Sequence, residues 1–164
     1  MPTPLEDQFE GVEVQATGHG AFQAQVRTPG GSFLVDEPAT AGGDGAGATP
    51  YDLLSAALAA CTVMTLKLYA GRKGWPLAGA RVRVLHRSGG LNAKDRFARE
   101  IELDGPLSGE QRRRLLEIAE RCPVHQTLER GSEVISVLAE GPLPRTLGPV
   151  PTQHASDMAE ACAE

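Results

Sequence analysis

At 164 residues, with 41% hydrophobic and 23% charged side chains, the chain reads as one domain able to bury a core without disulfide or metal staples. Sixteen Lys and Arg against 21 Asp and Glu leave a net charge of −5, which argues against the basic face of a nucleic-acid binder. The start MPTPLEDQFE has neither the basic nor the apolar region of a signal peptide. No uninterrupted run of about 18 apolar residues announces a membrane span, so a soluble cytoplasmic protein is expected.

Residues 9–36 read as a three-stranded meander. Val12, Val14 and Ala16 alternate with polar neighbours, Phe22, Ala24 and Val26 do so again after Gly18-His19-Gly20, and Ser32–Val35 follows the Pro29-Gly30-Gly31 turn. The segment EPATAGGDGAGA (37–48) has no large apolar side chain and predicts a flexible loop. Thr49-Pro50-Tyr51-Asp52 then opens a helix over 49–72, with Thr49 as N-cap and Pro50 at the first helical position. Its apolar residues cover the whole circumference, the mark of a buried helix. One sheet covers only one side of such a helix, so a second subunit is expected over the other.

Strands follow over 79–104, where Ala80, Val82 and Val84 alternate with arginines and Phe97, Arg99, Ile101 and Leu103 alternate in turn. Ser108 and Gln111 begin a helix over 108–122 whose apolar face is Leu115, Ile118, Ala119 and Cys122. Pro123 breaks helical geometry at Cys122 and begins a short turn through Leu128, closed by Gly131. A last strand is predicted over 133–138. Beyond Gly141 the apolar pattern stops among four prolines, so the expected domain is 1–141, with a loosely ordered extension over 142–164. The order βββ-α-ββ-α-β predicts an α+β domain with antiparallel strands.

The chemistry turns on Cys61, Cys122 and Cys162. Cys61 lies mid-helix in LAACTVMTL and Cys122 closes the inward face of the later helix. Either is explained as a small core hydrophobe. As a pair on two inward faces they invite disulfide chemistry, in which one thiolate attacks an oxidant and the other resolves the sulfenic acid. Cys122-Pro-Val-His125 admits a shared metal instead, but no CxxC or paired-His spacing supplies further ligands, and none is expected. His19, His86 and His154 read as surface or loop residues. Arg112-Arg113-Arg114 reads as a solvated face, and the glycine-rich loop lacks the Gly-Lys-Ser/Thr of a phosphate loop.

DEP (36–38), the glycine-rich loop, TPYDLLSAALAACTVMTLKLYAGRKGWPL (49–77) and LLEIAERCPVHQTLE (115–129) together resemble the OsmC/Ohr family over roughly residues 10–140. The resemblance implies an intertwined α+β homodimer, with antiparallel sheets around two long central helices. It also implies an enzyme, a peroxidase that reduces organic hydroperoxides. Cys61 would be peroxidatic and Cys122 resolving, with no metal or prosthetic group and a dithiol reductant such as a lipoyl protein. Where peroxidases of the family carry a Glu after the helix-starting Pro, this chain has Tyr51. Where they carry an Arg, it has His19 in the first hairpin and no arginine within 37–48. Arg27, held by Asp52, is the expected thiolate support, and Tyr51, Leu53, Leu54, Leu58 and Met64 are the expected lining for an alkyl group. The alternatives are a non-catalytic relative that binds a small molecule or serves a structural part, both cysteines filling its core, and a metal-binding module.

Overall fold

The structure, a computed structural model, describes residues 11–136, 138 and 153–163. The chain forms two compact units, Met1–Leu54 and Ser55–Glu164.

In the first unit β1 (Glu13–Ala16), β2 (Ala24–Thr28) and β3 (Gly31–Val35) form an antiparallel sheet in that order. Val14 pairs with Val26 and Val26 with Phe33, as the alternation of the meander requires. Residues 9 and 10 of the predicted run lie outside the described residues. The glycine-rich segment is not the free loop its composition suggests. Asp36, 2% exposed, accepts from the backbone N–H groups of Glu37, Asp44 and Ala46 and ties the segment into a coil around its carboxylate. A side chain at Gly43 would collide with the Glu37 carbonyl, and one at Gly47 with that of Leu34, so glycine is needed there for close backbone approach.

The long helix α1 (Pro50–Lys73) begins in this unit. Thr49 and Asp52 cap it reciprocally: the Thr49 N–H donates to Asp52 Oδ2 at 2.9 Å, and the Asp52 N–H to Thr49 Oγ1 at 3.2 Å.

In the second unit β4 (Gly79–Arg87) and β5 (Arg96–Asp104) form an antiparallel hairpin with Val82 opposite Ile101 and Val84 opposite Arg99. The predicted helix over 108–122 ends at Ala119, and the turn predicted from Pro123 through Leu128 is a helix of its own. Helix α2 (Gly109–Ala119) starts in a capping box between Ser108 and Gln111, and α3 (Pro123–Arg130) starts at Pro123 with Cys122 as its N-cap. Pro123 lacks the N–H that would continue the helix, and the break frees the Cys122 sulfur to cap.

Helix α1 buries one stripe, Leu58, Cys61, Thr62, Thr65, Leu66, Tyr69 and Ala70. Its lower half packs with Leu115, Ile118 and Ala119 of α2, whereas Leu58 and Cys61 gather with Cys122, Val84, Phe97, Val124 and Leu128. Tyr51 and Leu54 near its start, and Met64 off the stripe, are exposed. Contrary to the reading from uninterrupted runs, α1 is long and apolar enough to cross a membrane by length and composition. Its buried stripe accounts for part of that apolarity.

Two further expectations are corrected. Residues 133–136 of the predicted strand 133–138 form no strand; residue 137 lies outside the described residues. The extension over 142–164 is not loosely ordered throughout. Its residues 142–152 lie outside the described residues, but Gln153–Ala161 form α4, which places Cys162, 3% exposed, in the core beside Leu66 and Leu115. Arg72 Nη1 donates to the Ala159 carbonyl at 2.8 Å and ties α4 to α1.

Candidate functional site

The site grows from two helix features in the second unit. The mid-α1 position of Cys61 puts its sulfur on the inward stripe, and the Pro123 break sets Cys122 at the mouth of α3. Both are nearly inaccessible, at 2% and 0%. The Cys61 thiol hydrogen-bonds to Cys122, so the structure brings together the two sulfurs singled out in the sequence, both as free thiols. The first turn of α3 serves both: the Val124 N–H donates to Cys61 Sγ and the His125 N–H to Cys122 Sγ, each at 3.4 Å.

The two sulfurs differ in what else surrounds them. Cys122 accepts the Cys61 thiol hydrogen bond, and against its burial it has the His125 N–H, the Thr62 hydroxyl at 3.7 Å and the Arg99 guanidinium, Nη1 at 3.8 Å. Together they pull the Cys122 thiol below the ordinary cysteine range. Cys61 is pushed up, first because its proton is the one shared with Cys122 and second by burial.

Arg99 is the residue that sequence reasoning missed. Its side chain is 8% exposed. Nη1 donates to the Thr62 hydroxyl at 2.8 Å and the Ala119 carbonyl at 3.0 Å, and Nη2 bonds Glu120 Oε1 at 3.1 Å and His125 Nδ1 at 2.9 Å. The signal was present: Arg99 occupies an inward position of β5 between Phe97 and Ile101, where an apolar residue belongs. A buried guanidinium persists only with partners of this number.

A cavity of about 640 Å³ opens beside this network, with Leu58, Phe97 and Leu128 as apolar wall and Arg99, His125 and Glu120 among its polar groups. Of the residues expected to line an alkyl site, Leu58 is here; Met64 is half exposed on α1, and Tyr51 and Leu54 lie in the first unit. Asp52 is engaged in the N-cap of α1. Arg27, on β2 of the first unit, is mostly exposed and pairs with Glu13 at 3.8 Å. His154, expected at the surface, is instead carried by α4 to Cys61, with Nε2 3.1 Å from Sγ. The His125 ring faces Arg99 and Glu129.

Comparison with known proteins agrees with this arrangement of elements. The family model described as OsmC-like protein matches residues 42–136. The OsmC-like protein from Mycoplasma pneumoniae is similar in fold, with a TM-score of 0.63 and 21% identity over 75% of this chain and 89% of that one. An organic hydroperoxide resistance protein OsmC from Legionella pneumophila gives a TM-score of 0.57 and 22% identity over 72% and 87%. The organic hydroperoxide resistance protein OhrB of Bacillus subtilis gives 0.52 and 20% over 71% and 87%. None of the curated proteins matches the chain.

Proposed function

Because the chain belongs to the OsmC-like family, we propose that it is a cysteine-based peroxidase that reduces organic hydroperoxides through a Cys61–Cys122 disulfide. The observation that carries the reading is the buried pair of free cysteines, Cys61 and Cys122, packed in one cluster beside a cavity walled by Leu58, Phe97 and Leu128. Fold similarity to proteins named for organic hydroperoxide resistance supports the substrate class.

Cys61, as thiolate, attacks the distal oxygen of ROOH; the O–O bond breaks, and the alkoxide takes up a proton and leaves as ROH. Cys61 is now a sulfenic acid. The Cys122 thiolate attacks its sulfur, the S–O bond breaks, and hydroxide leaves as water once protonated. The Arg99 guanidinium, with Nη1 3.8 Å from Cys122 Sγ, favours the thiolate needed for that step. A dithiol, such as a lipoyl group on a protein, reduces the disulfide and returns both thiols. The alkyl group of ROOH rests against Leu58, Phe97 and Leu128, gaining about 0.8 kcal/mol per buried CH₂. We place the protein in the cytoplasm as a homodimer whose second subunit covers the exposed apolar residues of α1. No metal or prosthetic group takes part.

The test is stoichiometric cumene hydroperoxide or tert-butyl hydroperoxide, with the thiols mapped by mass spectrometry. The expected product is the Cys61–Cys122 disulfide. Cys61→Ser should abolish turnover, and Cys122→Ser should consume one equivalent and stop at a Cys61 sulfenic acid or a higher oxide. If both thiols of the wild type stay free, the non-catalytic reading replaces this one. Retained oxidation at Cys122 in Cys61→Ser would reverse the two roles.

A further inference from the structure

The Arg99 guanidinium contacts Cys122, whereas the sulfur that must attack, Cys61, carries the shared proton and is pushed up by that bond and by burial. An attacking thiolate needs that proton removed and a cation beside it. Among the described residues, the imidazole in contact with Cys61 Sγ is His154, Nε2 at 3.1 Å. It is half-buried, and it arrives on α4, a helix outside the segment that matches the family model.

We propose that His154 is the acid–base partner of Cys61, a catalytic residue that this chain supplies from its own C-terminal helix. The inference rests on the peroxidase reading above. His154 Nε2 takes the Cys61 thiol proton and becomes imidazolium. The Cys61 sulfur, now anionic, faces the His154 imidazolium, as the Cys122 sulfur faces the Arg99 guanidinium. As the Cys61 thiolate attacks the distal oxygen, the O–O bond breaks and the His154 Nε2 proton passes to the departing alkoxide. The step consumes Cys61–SH and ROOH and yields Cys61–SOH and ROH, with His154 neutral again. The Thr65 hydroxyl of α1 acts on Cys61, and the other groups that act on the pair from the surrounding elements are Arg99 of β5, the Thr62 hydroxyl of α1, and His125 and Glu120 through Arg99. Of these others, only Arg99 and Thr62 are within reach of sulfur, and the sulfur they reach is that of Cys122.

The anchoring of α4 makes the placement one of the fold. Cys162 is buried beside Leu66, and Arg72 holds the Ala159 carbonyl, so the helix docks at its C-terminal end while His154 projects to the site from its first turn.

The experiment measures sulfenic acid formation at Cys61 by dimedone trapping after addition of cumene hydroperoxide. It uses the full chain in a Cys122→Ser background, where disulfide closure cannot hide the product. His154→Ala and His154→Gln should slow it about 10²-fold or more, and added imidazole should restore part of the rate to His154→Ala. Protection of Cys162 from a thiol reagent reports whether α4 stays docked. Unchanged rates with Cys162 protected overturn the proposal, and so does slow oxidation without imidazole rescue in either variant, which assigns His154 a structural part alone. If the His154-intact protein is itself not oxidised at Cys61, the peroxidase reading fails, an outcome distinct from both.

Discussion

Arg99 donates from Nη2 to Nδ1 of His125 at 2.9 Å, and since a guanidinium only donates, the neutral His125 ring must carry its proton on Nε2. That proton faces Glu129 Oε2 at 3.2 Å and Glu120 Oε2 at 3.5 Å. The donations therefore diverge from Arg99, one way to the Cys122 sulfur and the other through His125 to carboxylates at the rim, and they fix the guanidinium plane beside that sulfur.

Replacing Arg99 should consequently act on Cys122 before Cys61. In Arg99→Gln the Cys122 thiol should rise toward the ordinary cysteine range, read by the pH dependence of alkylation in a Cys61→Ser background, where the serine hydroxyl still donates. Disulfide closure should slow more than the first oxidation. Arg99→Lys should recover little, because a single ammonium cannot reach Thr62, the Ala119 carbonyl, Glu120 and His125 at once. Stability should fall by about 1–3 kcal/mol as these buried acceptors lose their donor.

Acid should act on the first unit through Asp36. Three backbone N–H bonds, that of Ala46 the largest influence, hold its carboxyl below the ordinary 3.8. A depressed folded-state value means the stabilisation is complete above 3.8 and is lost as pH falls through the lowered value. Denaturation midpoints of the wild type should therefore drop as pH falls below that range. Asp36→Asn should be less stable at neutral pH and show a flatter acid limb. Parallel curves for the two proteins would show that Asp36 does not anchor the glycine-rich coil.

Truncation after Gly141 should destabilise the second unit, because it removes Cys162 from beside Leu66 and Leu115 and strips Arg72 of the Ala159 carbonyl. Cys162→Ala alone should cost about 1–2 kcal/mol, a small buried side chain replaced by a smaller one. Thermal denaturation of both checks this; a midpoint equal to that of the full chain would mean α4 contributes nothing to the core.

The exposed apolar residues of α1, Leu54 and Met64 among them, each roughly half accessible, predict a homodimer. Light scattering at micromolar concentration should give twice the chain mass, and Met64→Lys should shift it toward monomer. A monomeric wild type would place another occupant, or none, on those residues.

Much of this was legible because local chemistry decided it. Ser108 with Gln111, and Pro123 with Gly131, set helix ends that depend on a few neighbouring residues, and both helices begin there. The cysteine pair was legible as two inward faces. Arg99 was visible as a charge in an apolar register, but its meaning depends on Cys122, on an element two further along the chain. His154 gave no signal, since α4 carries Met158 and little else apolar within its nine residues, and its docking is settled by Cys162 and Arg72 rather than by periodicity. The glycine-rich segment was misjudged because its order comes from one carboxylate outside it.

Cys122 is at once a reacting sulfur and the N-cap of α3, accepting the His125 N–H while the neighbouring Val124 N–H binds Cys61. A disulfide sulfur carries no charge and accepts poorly, so oxidation leaves two amides of the same helical turn without good acceptors. The redox state of the pair is thereby written into the backbone: Val124 and His125 should exchange their amide hydrogens slowly in the reduced protein and faster once the disulfide has closed.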